Sequence, residues 1–340
     1  MQPKLIPVLA LLAAALVLAA AGRGSSRHAA PVAAPAFKVG LSTDTGGLND
    51  RGFNHLAYLG LQQAESKLGV QGRVVQAASP AEYIPNLARL AQQGYSLVIG
   101  VGFTEIQALE AVAKQFPKTH FAIVDVSNAD EGGLPNVEGL LFKEQEAGYL
   151  AGYAAGLAAK ARGADVVSSV GGQKQPPVDR YIAGFQAGAK AALPGVKTPN
   201  AYSNDFSNEA RCKEIALNQI AAGSAVVFQV AGGCGLGALD AANEQGVWGI
   251  GVDADQGYLG PYVLTSALKR VDTAVFQAIA DAKNGRFKGG RDAVYGLDRN
   301  GVGIGRFSSK APAGIAARVK RVEALLRAGK IRNIPTKVGS

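Results

Sequence analysis

The sequence predicts an α/β protein of two doubly wound parallel-sheet lobes joined by a hinge. Three observations lead there. From Phe37 onward, short β-rich runs alternate with longer stretches of helical pattern, the mark of βαβ units. The alternation restarts once, after a helix rich in small residues. A chain of 340 residues at 48% hydrophobic composition has enough material for about two domains.

At the N-terminus, Lys4 is followed by an apolar stretch over 5–22 that ends in small residues, then by the polar, Pro/Ala-rich RGSSRHAAPVAAPA. That pattern predicts a secretory signal and tether over 1–35. The apolar stretch is also long enough for one membrane-spanning helix. Export to the cell surface or periplasm is the expectation, with cleavage or membrane anchoring left open.

The first lobe is expected to hold strands at 38–42, 73–76, 97–101, 120–126 and 137–142, with helices over 51–68, 80–93 and 104–116. The helix 144–160 (EQEAGYLAGYAAGLAAK) should pack its backbone closely and lead into the second lobe. There the expected strands are 165–170, 201–203, 225–230 and 247–252, and the helices 178–192, 209–222 and 236–245. A strand at 262–268 and helices at 272–284 and 311–328 follow. Crossings late in the chain make the lobes discontinuous: 36–145 with about 264–300, and 146–263 with about 301–335. Several crossings form a hinge, and the cleft between lobes is the expected ligand site.

Polar groups at the carboxyl ends of parallel strands are where such sheets bind ligands. After the first strand, the loop DTGGLNDRGFN offers Asp44, Asn49 and Asp50 with the flat face of Phe53; equally, Asn49 or Asp50 could cap the next helix and Phe53 could be core. Asp125 ends an apolar strand, where an acid is costly unless paired or facing a cleft. Phe206 could cover a ligand face or staple a helix. The glycines of VAGGCGLG, Gly233 among them, allow close backbone approach. Asp253 ends another apolar strand and Lys269 follows the next; a carboxylate with an ammonium can grip adjacent hydroxyls, or simply form a salt bridge at the hinge.

Several classes are disfavoured. Net charge is +9, of which Lys4, Arg23 and Arg27 carry three, and the rest lies in no basic run, which argues against nucleic acid. Two cysteines and three histidines without HxxxH spacing offer no metal cage. The glycine loop lacks GxGxxG spacing, so no nicotinamide cofactor is expected. No DxDxxxD-like acid group and no basic residue in the glycine loop support a nucleoside-cleaving enzyme. No cofactor and no catalysis are expected.

Taken together, DTGGLNDRGFN, AGYLAGYAAG, VAGGCGLG, GVDADQ and LTSALKRVD, in this order over about 38–305, resemble the basic membrane protein family of ABC-transporter substrate-binding proteins, the purine nucleoside receptor group. The resemblance implies a type I periplasmic binding protein fold and a nucleoside delivered to an ABC permease by a monomer. It implies a base between Phe53 and Phe206, its edge read by Asp125 with Asn49 and Asp44 nearby. Asp253 and Lys269 would hold the ribose hydroxyls, with Gly233 close to the sugar. Many members are lipoproteins, yet here Gly22 is followed by Arg23 rather than cysteine, so the usual lipid attachment is not expected. A disulfide between Cys212 and Cys234 would brace the glycine loop. A sugar or amino acid bound in the same fold, and a sensory receptor, are the rival readings.

Overall fold

The computed structural model describes residues 36–339; the expected signal segment and tether lie outside the described residues. Two six-stranded sheets form the two lobes. The first runs β11-β5-β4-β3-β1-β2, from β1 (Lys38–Thr43), β2 (Gln71–Gln76), β3 (Leu97–Val101), β4 (His120–Val124), β5 (Val137–Phe142) and β11 (Arg291–Tyr295). The second runs β12-β10-β9-β8-β6-β7, from β6 (Ser168–Gly171), β7 (Asn200–Tyr202), β8 (Val226–Val230), β9 (Trp248–Asp253), β10 (Val263–Lys269) and β12 (Val302–Ile304). Pairings are parallel throughout, except that β12 runs antiparallel to β10. Omitting the added edge strands, the two orders are the same. The lobes repeat one design.

The helices cover both faces. Helices α1 (Phe53–Leu68), α2 (Tyr83–Gln92) and α3 (Ile106–Gln115) follow β1, β2 and β3, while α5 (Pro176–Ala192), α6 (Glu209–Ala221) and α7 (Cys234–Glu244) follow β6, β7 and β8. The helix after each fifth strand crosses to the other lobe. Thus α4 (Glu144–Ala161) leaves β5 and packs on α5, and α8 (Val271–Lys283) leaves β10 and packs on α1. A third crossing joins β11 to β12, and α9 (Ile315–Arg327) then packs on α4. Three crossings at one place make the hinge.

The expected lobe boundary differs from the structure at one strand. The strand expected at 262–268, assigned to the first lobe, is β10 of the second sheet, where Ser266 and Leu268 align with Gly251 and Asp253. The chain therefore crosses after Lys269 rather than near 263. Two strands went unforeseen. β11 and β12 are short edge strands with few buried side chains, so neither presents an apolar run to read. The strand expected over 120–126 stops at Val124 because Asp125 turns the backbone left-handed (φ 73).

Small residues decide how the second lobe packs. On α4, Gly148 and Gly152 lie against backbone carbonyls of α5, and on α5 Gly184 and Gly188 return the contact. A Cβ on Gly152 would sit 1.9 Å from the Phe185 carbonyl oxygen, so the helices must part to admit one. Gly152→Ala should gain about 1 kcal/mol of helix propensity, yet overpacking costs about 1–3 kcal/mol or more. We expect a net lower urea midpoint for this variant, and an unchanged midpoint would contradict the packing argument.

Candidate functional site

One cavity lies between the lobes, lined from both by the carboxyl ends of their strands and the helix starts that follow. The first lobe supplies Asp44 after β1, Phe53 at the start of α1, Gly102 after β3 and Asp125 after β4. The second supplies Gln175 and Tyr181 at α5, Phe206 after β7, Gly233 after β8, and Asp253 and Lys269 at the ends of β9 and β10. Seven of the eight expected ligand residues thus share one cavity. The exception is Asn49, which is exposed and outside the lining.

The loop after β1 explains that exception. Asp50 accepts backbone N–H bonds from Gly52, Asn54 and His55 at 3.0, 2.7 and 3.1 Å, satisfying donors at the start of α1. With Asp50 committed to capping, the amide that reaches the cavity is Asn54. Its Nδ2 donates to Asp44 Oδ1 at 2.7 Å, while its Oδ1 is buried without a partner. Gly102, at φ 116, passes directly beneath: a Cβ there would meet Asp44 Oδ2 at 2.9 Å and the Phe53 ring at 3.4 Å. Glycine lets both groups lie against the chain. Phe206 rests likewise on Gly172, where a Cβ would fall 2.2 Å from the ring.

The pairing of charges differs from the one expected. Lys269, almost wholly buried, sets its Nζ 2.6 Å from Asp125 Oδ2 and 3.1 Å from Glu144 Oε1; Asp253 is not in its ion-pair contact. Arg180 Nε in turn donates to Glu144 Oε2 at 2.6 Å. Two acids and two bases form a neutral chain across the hinge. Lys269 also lies under Phe53 and Phe142, at 5.0 and 4.9 Å from their ring centroids. The expectation failed because Asp125 and Lys269 are 144 residues apart and come from different lobes, a meeting that no local spacing encodes.

Asp253 is left facing the cavity, held only by the Tyr181 hydroxyl, which donates to its Oδ1 at 3.2 Å. Burial pushes its carboxyl up to about 7, against the pull of Lys269 and with Asp125 and Asp50 adding to the rise. Burial likewise lifts Asp44 to about 6, despite the hydrogen bonds from Asn54 and Gly46. Burial raises Asp125 also, opposed by Lys269, whereas the Lys269 ammonium outweighs its own burial through Asp125, Glu144 and Asp253 and stays above its ordinary value. Behind Asp44, burial and the Asp44 charge hold Glu105 well above the usual carboxylate range. Asp125 and Asp253 occupy equivalent places at the carboxyl end of the fourth strand of each lobe, and both take left-handed φ, 73° and 62°. Such backbone is found at sites that must aim a side chain.

Sequence reasoning missed Asn54, Glu144, Gln175, Arg180 and Tyr181. Gln175 Oε1 is a second buried acceptor without a partner. Only Glu144 carried a signal, an acid beside the GYLAGY helix, and it reads as an ordinary helix-start acid. The cavity as a whole offers four aromatic rings, those of Phe53, Phe103, Tyr181 and Phe206, with several acceptors and excess negative charge. It suits a flat, neutral or cationic molecule rich in hydrogen-bond donors. Among the described residues, no group of three or more His, Cys, Asp or Glu is placed to hold a metal ion. The sulfurs of Cys212 and Cys234 are bonded, tying α6 to the start of α7 next to Gly233.

Residues 37–330 match a family model described as ABC transporter substrate-binding protein PnrA-like. The chain is 36% identical to the ABC transporter nucleoside-binding protein BmpA of Lactococcus lactis, over 88% of this chain and 90% of that one. It is 35% identical to the CD4+ T-cell-stimulating antigen of Listeria monocytogenes, over 96% of both. A crystal structure of an ABC transporter system solute-binding protein from Aeropyrum pernix superposes with a TM-score of 0.77 at 26% identity, covering 88% of this chain and 94% of that chain.

Proposed function

Because this chain belongs to the family of PnrA-like ABC transporter substrate-binding proteins, we propose that its cleft captures a purine nucleoside outside the cell for an ABC importer, the protein acting as a monomer. Substrate-binding proteins of this kind bind a small ligand and work with a transporter permease. The observation that carries the nucleoside reading is the cleft's division of labour. Phe53 and Phe206 supply the flat apolar surfaces, one from each lobe, while Asp253 stands apart from the neutral Lys269 chain as a free acceptor. The base would lie between the two rings, where stacking is worth about 1–3 kcal/mol. Asp44, Asn54 and Gln175 offer acceptors to ring and exocyclic N–H groups. Asp253 would accept from the ribose hydroxyls, with Asp125–Lys269 alongside and Gly233 near the sugar.

The relative named as a nucleoside-binding protein supports this reading. So does the charge: a phosphate brought beside Asp44, Asp50 and Asp253 would meet like charge, which costs several kcal/mol. Calorimetric titration of the purified protein tests it. At least one of adenosine, guanosine and inosine should bind at one site. D-ribose and the free base should bind at least about a hundredfold more weakly, because each leaves buried groups unpaired, and the 5′-monophosphate should be weaker still. Comparable binding of glucose and nucleoside would favour a sugar site instead. As a binding protein, it should leave inosine intact, with no hypoxanthine released on incubation.

A pH dependence follows. Donors on the ligand favour the ionised forms of Asp253 and Asp44, whose carboxyls stand at about 7 and about 6. Binding therefore expels protons below those values, and affinity should rise with pH before levelling above about 7. Between pH 5.5 and 8, we expect about a tenfold gain or more; affinity falling over that range would overturn the acceptor role.

Export remains part of the proposal. Among the described residues, no helix is long and apolar enough to cross a membrane, and the Cys212–Cys234 disulfide suits an oxidising compartment.

A further inference from the structure

The positive charge of the chain is concentrated at one end. Over 306–340 there are nine Lys and Arg against the single acid Glu323, a net +8. Since the whole chain is +9 and residues 1–35 hold +3, residues 36–305 carry −2. Most of the basic segment is α9 and the turns after it. Helix α9 buries Ile315, Val319 and Val322 against the second lobe. At about 100° per residue, Arg318 and Arg321 fall on one flank of that stripe, and Lys320 and Arg327 on the other. The face between them, turned to solvent, is formed by Ala317, Ala324 and Ala328, while Leu325 lies on the first flank, between Arg318 and Arg321; all four are exposed.

Two features separate this face from an ordinary solvated helix. Its cations are largely uncommitted: among the described residues Arg327 pairs with Glu323, while Arg318, Lys320, Arg321 and Lys330 make no ion pair. Its outermost strip is alanine where charge would be expected, and Leu325, 45% exposed, stands beside it between Arg318 and Arg321. An apolar strip flanked by Lys and Arg is the pattern of a helix lying in the membrane interface.

We infer that α9 docks the protein on the anionic lipid surface of the membrane, with Leu325 and its alanines against the headgroup boundary and Arg318, Lys320 and Arg321 on lipid phosphates. Each basic side chain at such a surface contributes modestly, and the effect sums over the cluster. The inference does not depend on which ligand the cleft holds.

Co-sedimentation of the full chain with phosphatidylcholine vesicles, with and without phosphatidylglycerol, tests it. The wild type should partition more strongly onto the anionic vesicles, and the difference should fade as salt is raised. R318E/K320E/R321E should lower anionic partitioning roughly a hundredfold at low salt, leaving the phosphatidylcholine value, the melting temperature and cleft binding unchanged. Should that variant fail to fold, Leu325→Asp is the second probe and should lower partitioning in the same direction. Equal partitioning of variant and wild type would overturn the inference. So would a wild type indifferent to phosphatidylglycerol, or one that gathers on nucleic acid or an acidic polypeptide but not on vesicles.

Discussion

Replacing Lys269 by methionine should lower the free energy of unfolding by about 3–5 kcal/mol, the cost of stranding a buried charge whose partner is removed. Lys269 is 2% exposed and sits between Asp125 and Glu144, which are 6% and fully buried. Methionine keeps the length and packing under Phe53 and Phe142, so the loss isolates the charge. The pH dependence fixes the cause. Burial already raises the Asp125 carboxyl and Lys269 opposes that rise; without Lys269 the folded-state value climbs further above the unfolded one. The folded variant then holds a proton that the unfolded chain releases, so its stability falls as pH rises. The deficit against wild type should be larger at pH 8 than at pH 5. Adding Asp125→Asn should restore part of the loss, and denaturation of the two single variants and the double gives the coupling. Simple additivity would mean that Asp125 and Lys269 do not act as a pair.

Asp253→Asn should do the opposite: weaken nucleoside binding by about a hundredfold or more while leaving the fold intact or firmer. Asparagine preserves the shape and tolerates the left-handed backbone at φ 62, whereas alanine would add strain to the loss of the carboxylate. The binding loss reflects hydroxyl donors left without a charged acceptor, worth about 1.5–3 kcal/mol per hydrogen bond. For stability the sign is as follows. The Asp253 carboxyl stands at about 7 in the folded protein, raised from 3.8 chiefly by burial. The unfolded chain therefore gives up this proton first, and the carboxyl lowers stability progressively as pH rises from about 4 to 7. The variant lacks that group, so without ligand it should melt higher than wild type at pH 8 and nearly equal at pH 4. Calorimetry for binding and scanning calorimetry for melting separate the two effects. Wild-type affinity in the variant would remove Asp253 from the site.

The parts of this site that were legible in the sequence are those written locally. An apolar run ending in a polar residue announces a strand that stops at a cleft, and so Asp44, Asp125, Asp253 and Lys269 could be named before any fold was known. The repeat of the lobes was legible for the same reason, since each βαβ unit carries its own periodicity. What could not be read depended on where one lobe meets the other. Nothing near Lys269 in sequence says that its partner is Asp125, and nothing near Glu144 says that its acid closes an ion chain instead of merely starting a helix. Asn49 and Asn54 illustrate a finer limit. Asn49 lies in the polar loop and Asn54 in the first turn of α1, and only the commitment of Asp50 to three backbone amides decides which amide turns inward. The edge strands β11 and β12 escaped because sheet edges need not be apolar on both faces.

A crystal structure of the protein with a bound purine nucleoside tests the central claim most directly. The account predicts the base between Phe53 and Phe206, and a ribose hydroxyl within about 3.2 Å of the Asp253 carboxylate, with the Asp125–Lys269 pair still intact beside it. A nucleoside seated elsewhere, or with its sugar turned away from Asp253, would contradict it.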